Sequence, residues 1–142
     1  MSKDRRIHHV GIVVDDIDQA KGFLQGILDI AVDDVIDLGP GKVAWAPCGE
    51  IQIELIEYSD PEYKRKRLGS SEAVIEHICF HTDDADAEYA ELAEKGVQFT
   101  GPPKAWNDRK AFFTTAASCD GVMYQFREPI EEAAAPAAND HR

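Results

Sequence analysis

The sequence predicts an α+β fold made of two tandem βαβββ modules, and two observations predict it. The apolar, β-branched stretch IHHVGIVV at residues 7–14 returns in altered form as IEHICFHT at residues 75–82, and the copies carry His9 and His77. A strand, an amphipathic helix and about three further strands then follow in the same order in each half. Because this repeating unit is too long for a solenoid, two fused modules fit it better.

The first module begins with the strand at residues 7–14 and continues into a helix. The apolar residues after the strand recur at three- and four-residue spacing, and Asp15 or Asp16 would cap the helix; they are Ile17, Ala20, Phe23, Leu24 and Ile27. Residues 32–58 are typical of short strands, with turns at GPG and PCGE. The polar, cationic residues 59–73 are predicted to link the modules.

The second module repeats this order. VIEHICFHT is a predicted strand, and DDADAEYAELAEKG is a predicted helix that Asp83 or Asp84 caps and Gly96 ends. VQFTGPPKAW, KAFFTTAAS and GVMYQFREP provide further strands and turns. Residues 131–142 lack periodic apolar residues, so we expect a flexible tail there.

Aligning the modules pairs residues that could carry chemistry. A shift of 68 residues places His9 on His77, and a shift of 71 later places Glu54 on Gln125. Because side chains alternate along a strand, the apolar residues beside each histidine pack against the following helix and the histidine lies on the other face. Two imidazoles, a carboxylate and an amide oxygen suit a divalent metal with open positions, and Zn, Co, Ni, Mn and Fe are not distinguished.

The alternative is that the two histidines are unrelated polar residues and the repeat is a coincidence. A lone histidine is usually structural, but two at matching positions, with the matched Glu54 and Gln125, favour the metal site. Arg127 is predicted on the same face as Gln125, where it would bind a substrate carboxylate or pair with a neighbouring acid. The cationic residues 64–67 either bind substrate phosphates or form a solvated linker. We favour the solvated linker.

Composition excludes several function classes. The net charge of −12 argues against nucleic acid, whose phosphates require a basic surface. Apolar runs are far shorter than the roughly 20 residues that span a bilayer, and no signal peptide is recognisable, so we expect no membrane partner. Three widely spaced cysteines without a CxxC motif predict reduced thiols in a cytoplasmic protein.

Four stretches resemble the vicinal oxygen chelate superfamily of glyoxalase I, bleomycin-resistance proteins and extradiol dioxygenases, and within it the methylmalonyl-CoA epimerases. They are IHHVGIVVDDIDQAKGFL, IQIELIEY, EHICFHTDDADAEYAELAEKGVQF and DGVMYQF. The resemblance covers about residues 7–128. It implies a half-open cleft in a mixed sheet with helices on the outer face, and a homodimer. It also implies that His9, Glu54, His77 and Gln125 are the metal ligands.

This resemblance implies an enzyme that acts on a small carbonyl or acyl-CoA substrate through a metal-stabilised enolate, as an epimerase or isomerase. The alternatives are a glyoxalase I-like lyase and a non-catalytic binding or resistance protein. Gln125 occupies a position where such epimerases usually have glutamate, and Ala44 stands where some have a catalytic glutamate. The catalytic base is therefore unknown. The fold is expected to be a single domain that spans residues 1–130, with its modules at residues 7–58 and 74–128.

Overall fold

The computed structural model describes residues 3–106 and 109–129, so the predicted tail at 131–142 lies outside the described residues. The elements follow in the predicted order, and the α+β class with two βαβββ modules is confirmed. The first module contains β1 (Ile7–Val14), α1 (Ile17–Gly26), β2 (Ile36–Asp37), β3 (Gly41–Cys48) and β4 (Ile51–Tyr58). After α2 (Pro61–Leu68), the second contains β5 (Ala73–His81), α3 (Ala85–Glu94), β6 (Lys104–Trp106), β7 (Arg109–Phe113) and β8 (Met123–Arg127).

The chain divides into two compact units, which we call the central unit and the terminal unit. The central unit runs from residue 9 to residue 76, and the terminal unit combines the residues before it with those after it. The boundaries therefore fall inside β1 and β5, directly before the two repeated histidines. Residues 59–76 belong to the central unit because Lys64 and Arg67 bind acidic residues there.

Both units build the same type of mixed sheet. In the central unit the strand order is β2-β3-β4-β1, with β1 parallel to β4 and the other pairs antiparallel. In the terminal unit the order is β5-β8-β7-β6, again with one parallel pair, β5 with β8. Each parallel pair thus joins the first and last strands of a module, which are the strands that carry the predicted ligands.

Helix α1 covers one face of the central sheet. The packed residues there come from β1, α1, β3, β4 and the segment between α1 and β2, and include Val14, Ile17, Leu24, Val32, Ala44, Ala46 and Leu55. Asp16 caps the helix by accepting a hydrogen bond from the Gln19 amide at 3.1 Å. The predicted apolar side of the helix is only partly buried, because Phe23 and Ile27 are exposed and the helix ends at Gly26.

Helix α3 covers the corresponding face of the terminal sheet. An aromatic cluster lies beneath it, in which the rings of Phe112 and Phe126 stack with centroids 5.3 Å apart. Asp84 caps α3 through the Ala87 amide, as predicted, and Gly96 adopts a positive φ of 94° just after the helix ends. In both units, therefore, the helix lies on the sheet face opposite the repeated histidine.

The terminal unit also holds the start of the chain. Arg5 donates hydrogen bonds of 3.1 and 2.8 Å to the two carboxylate oxygens of Glu88 on α3, and Thr82 donates a third at 3.1 Å. The hydrogen bond from Arg5 and its charge hold the pKa of Glu88 below its ordinary value. These bonds fix the residues that lead into β1, whose continuation carries His9.

The shift of 71 residues that relates Glu54 to Gln125 also pairs Glu57 with Glu128, and each of these glutamates connects the last strand of its module to the helix. Glu57 accepts a hydrogen bond from the Ile17 amide at 2.9 Å, and Glu128 accepts one from the Ala85 amide at 2.8 Å. Ile17 and Ala85 are the first residues of α1 and α3. The first amides of a helix have no partner within the helix, so this part of the repeat has a structural cause.

We expect Glu128→Ala to lower the free energy of unfolding by about 1 to 3 kcal/mol, since it leaves two backbone amides without an acceptor. The second of these is the Lys110 amide, which donates to Glu128 at 3.0 Å. Urea denaturation followed by circular dichroism measures the effect. The matched control is Glu94→Ala at the exposed end of α3, which should stay within about 0.5 kcal/mol of the wild type. Equal stability of the two variants would contradict the capping role.

Candidate metal and substrate site

The face of the central sheet that carries His9, here called the central histidine face, has a regular arrangement. Cross-strand partners place Gln52 beside His9 and Pro47 beside Gln52. The next row contains Gly11, Glu54 and Trp45, and the row after that contains Val13, Ile56 and Val43. The last row is apolar and packs with Leu68. The polar side chains therefore collect around His9.

His9 is almost fully buried and lies next to two of these side chains. Its Nε2 atom is 3.3 Å from Oε1 of Glu54, and its ring meets the ring of Trp45 edge-on, with centroids 4.9 Å apart and planes at 88°. Two ligand atoms that are each about 2.1 Å from one ion at a tetrahedral angle lie about 3.4 Å apart. The His9 and Glu54 atoms therefore fit a shared divalent cation.

The terminal unit presents a matching surface, here called the terminal histidine face. Partner strands place Met123 beside His77, Gln125 beside Cys79 and Arg127 beside His81. His77 is buried, and its ring meets the ring of Phe113 edge-on at 5.2 Å and 87°. Gln125 pairs with Phe113 as Glu54 pairs with Trp45. Each unit thus combines a buried histidine, an aromatic ring and a residue with a side-chain oxygen in the same relation.

Phe113 is a residue beside a predicted ligand that the sequence analysis missed, and Trp45 is its counterpart in the central unit. The shift of 68 residues that relates His9 to His77 also relates Trp45 to Phe113, so the signal was present. Each ring fixes the orientation of its histidine by an edge-on contact, which restricts where the imidazole nitrogen atoms lie. Fixed ligand orientation is what a preorganised metal site requires.

Ala44 does not lie on the central histidine face, which corrects the position we had compared with a catalytic glutamate. Ala44 pairs with Leu55 and packs in the cluster under α1. Because strand side chains alternate, β3 instead presents Val43, Trp45 and Pro47 to the histidine face. None of these three side chains can exchange a proton near neutral pH, so β3 does not supply a base.

Arg127 lies on the terminal histidine face, as predicted, and is about 4% exposed. Arg109 on β7 is similarly buried and was missed by the sequence analysis. Since Ala111 pairs with Arg127, Arg109 lies diagonally across from Arg127 on the same face. Two buried guanidinium groups therefore lie on one face, and each can donate several hydrogen bonds to an anionic group.

The cationic residues 64–67 form part of α2 instead of a solvated linker. Asp60 caps this helix through the Tyr63 amide at 3.0 Å. Lys64 donates to Glu57 at 2.9 Å, and Arg67 binds Glu76 with a closest distance of 2.7 Å. Glu76 therefore pairs within the central unit, and its position before His77 does not make it a base.

Tyr58 joins the pair of Arg67 and Glu76 by donating a hydrogen bond of 3.0 Å to Glu76. Burial, together with the Glu76 charge, raises the pKa of Tyr58 far above its ordinary value, so the hydroxyl stays protonated. A phenol in this state is a structural donor and not a proton-exchange group. The Tyr58, Arg67 and Glu76 group thus stabilises the junction of β4, α2 and β5.

The fold, the repeat and the histidine faces define a class of protein. The sequence model of the Glyoxalase/Bleomycin resistance protein/Dioxygenase superfamily matches residues 6–129, and the chain belongs to this superfamily. None of the helices in the described ranges is long and apolar enough to cross a bilayer.

Individual relatives include epimerases. A 2-epi-5-epi-valiolone epimerase of Actinomyces sp is 30% identical over 120 residues, which cover 72% of this chain and 66% of that protein. A hypothetical protein of Bacillus halodurans C-125 has a similar structure, with a TM-score of 0.82 and 28% identity over 94% of this chain and 100% of that one. Methylmalonyl-CoA epimerase from Mycobacterium tuberculosis has a TM-score of 0.76 at 23% identity, over 92% and 91% of the chains, which shows a shared fold.

Proposed function

We propose that this protein is a divalent-metal-dependent enzyme of the vicinal oxygen chelate type that epimerises or isomerises a small carbonyl compound or acyl-CoA. The observation that carries the proposal is the 3.3 Å distance between His9 Nε2 and Glu54 Oε1. It is supported by the repetition of the same arrangement around His77 and Gln125, and by family membership with an epimerase among the relatives.

In this proposal His9, Glu54, His77 and Gln125 hold the metal. Two neutral imidazoles, one carboxylate and one amide leave a divalent ion with a net charge of about +1. When bound, the metal would polarise the substrate carbonyl and stabilise an enolate. The donor set combines nitrogen with hard oxygen ligands, so Zn, Co, Ni, Mn and Fe all remain candidates. Trp45 and Phe113 would orient the two imidazoles.

Arg127 and Arg109 are proposed to bind an anionic group of the substrate. A guanidinium has five N–H donors, so it can keep a structural partner and still donate to a ligand oxygen. The burial of both arginines would strengthen such a contact, because water does not screen it. A substrate with a carboxylate next to the reacting carbon, such as methylmalonyl-CoA, meets this requirement, and an acyl-CoA is therefore the proposed substrate class.

The function is tested by two measurements on the full chain. Protein purified without added metal is reconstituted with a divalent ion and dialysed, and elemental analysis should then find one ion per chain. The protein should then catalyse exchange of the α-proton of methylmalonyl-CoA in deuterated water, which NMR or mass spectrometry detects. Protein that retains no stoichiometric metal would contradict the metalloenzyme and favour a binding or resistance protein.

Metal without exchange would leave the site in place and remove this epimerase assignment. The glyoxalase I-like alternative would then be measured as lyase activity on the glutathione adduct of methylglyoxal. Oligomeric state and cytoplasmic location stay predictions of the family resemblance and the composition. Sedimentation velocity at micromolar protein would test the expected homodimer.

A further inference from the structure

Gln52 on the central histidine face has a buried oxygen without a partner. Its Oε1 atom has no hydrogen-bond partner within residues 3–106 and 109–129. The neighbours on its face are Pro47 and His9. Proline has no donor to offer, and Nε2 of His9 lies 3.3 Å from Glu54. A buried acceptor left in this state destabilises a protein by about 1 to 3 kcal/mol.

The fold does not require an amide at this position. The equivalent residue in the terminal unit is Met123, which pairs with His77 as Gln52 pairs with His9. Methionine has a similar length and volume and no strong hydrogen-bonding group. The same sheet position is therefore occupied by an apolar side chain in one unit and by an unsatisfied amide in the other. An unsatisfied buried group that the fold does not need points to a ligand.

The chemistry of the neighbours limits what that ligand can be. Glu54, on the same strand two residues further, presents carboxylate oxygens that accept hydrogen bonds. Gln52 adds a second acceptor beside His9. Two acceptors on one edge of the central histidine face select a group that carries a proton, and they disfavour a second carboxylate or carbonyl oxygen there.

We propose that Gln52 Oε1 accepts a hydrogen bond from an O–H group brought into the site, either a hydroxyl of the substrate or a water bound with the metal. This proposal rests on the proposed function, because it places the substrate and metal beside His9 and Glu54. It adds a specificity rule, namely that ligands with a hydroxyl group bind more tightly than those with a methyl group at the same place.

The test compares the wild type with Gln52→Met, which copies the residue of the terminal unit, and with Gln52→Glu, which keeps an acceptor oxygen. Three quantities are measured: the thermal midpoint of the metal-free protein, the affinity for Zn²⁺, and the affinity for glycolate relative to acetate. These two ions differ by one hydroxyl group and share a carboxylate.

We expect metal-free Gln52→Met to be as stable as the wild type or more stable, because it loses an unsatisfied polar group. Either its affinity for Zn²⁺ or its preference for glycolate over acetate should be lower by about 3- to 10-fold, which corresponds to the loss of one hydrogen bond. A loss confined to the glycolate preference identifies a substrate hydroxyl, and a loss of Zn²⁺ affinity identifies a metal-bound water. Gln52→Glu should restore the affected affinity.

A destabilised Gln52→Met with unchanged Zn²⁺ affinity and unchanged glycolate preference would overturn the proposal, since the amide would then have a structural role. Failure of the proposed function gives a different result. If the wild type binds no Zn²⁺, the metal site is wrong, whereas the stability of the metal-free variants and the glycolate preference still decide the role of Gln52.

Discussion

Replacing His9 with alanine is expected to lower the affinity for divalent metal by more than about 100-fold. Loss of a residue that only orients a metal ligand typically lowers affinity about 10- to 100-fold, and His9 is proposed as a ligand itself. Its Nε2 atom lies 3.3 Å from Glu54 Oε1, so the substitution removes one of two adjacent donors. Competition with a fluorescent zinc chelator measures the affinity.

His8→Ala is the matched control, because it removes a neighbouring imidazole of the same strand. His8 contacts His81 edge-on, with ring centroids 5.2 Å apart, and both lie in the terminal unit. This variant should keep metal affinity within about 3-fold of the wild type. His77→Ala should behave as His9→Ala does, since the repeat makes the two histidines equivalent. Unchanged affinity in both His9→Ala and His77→Ala would rule out the proposed ligand set.

A variant that fails to fold would also lose metal, so folding is measured separately. His9→Phe keeps a ring that can still meet Trp45 edge-on and has no atom that can bind a metal. It should retain the circular dichroism spectrum and the urea midpoint of the metal-free protein while losing metal affinity. If the loss of bound metal in His9→Phe only matches the fraction of unfolded protein, the histidine has a structural role instead.

The sequence predicts what strand alternation and local capping determine. Each helix cap was predicted to be one of two adjacent aspartates, and the structure shows that the second of each pair, Asp16 or Asp84, accepts the capping hydrogen bond. His9 and Glu54 could be assigned to one face of the sheet because side chains alternate along each strand. The repeat supports this assignment, since it gives each of them a counterpart in the other module. A few apolar positions show which face of a strand is buried, so the face on which each of these side chains lies could be predicted without coordinates.

The misassigned features depend on contacts between distant parts of the chain. Alignment placed Ala44 at a catalytic position, but the register of β3 on β4 pairs Ala44 with Leu55 and turns it toward α1. Helix α2 has no apolar periodicity, so its charged residues resembled a linker. It is stabilised by Lys64 binding Glu57, and only the Asp60–Pro61 start signal was visible in the sequence.

Comparison of the two units separates residues that serve the fold from residues that serve a ligand. Glu57 and Glu128 are conserved between the units and hold the first amides of the helices. At one matched position the central unit has Ile56 and the terminal unit has Arg127. Each residue lies on the histidine face of its own unit. The fold accepts an apolar residue at that position, which supports the proposed role of the buried arginine in ligand binding.

Replacing Arg127 with methionine is accordingly expected to lower kcat/KM for a carboxylate-bearing substrate by about 10- to 100-fold. This corresponds to loss of a charge-assisted hydrogen bond of about 1.5 to 3 kcal/mol. The side chain is about 4% exposed, so solvent cannot substitute for it. The rates are measured as α-proton exchange with methylmalonyl-CoA and with propionyl-CoA, which lacks the carboxylate.

The ratio of the two rates within one variant is the decisive quantity, because loss of folded protein lowers both rates equally and leaves their ratio unchanged. Arg127→Met should reduce the preference for the carboxylate, and Arg127→Lys should restore part of it, since lysine keeps the charge without the two-pronged geometry. Arg65→Met on the exposed side of α2 is the control and should leave the ratio unchanged. An unchanged ratio in Arg127→Met would mean that Arg127 pairs only within the protein and that the substrate is selected by other residues.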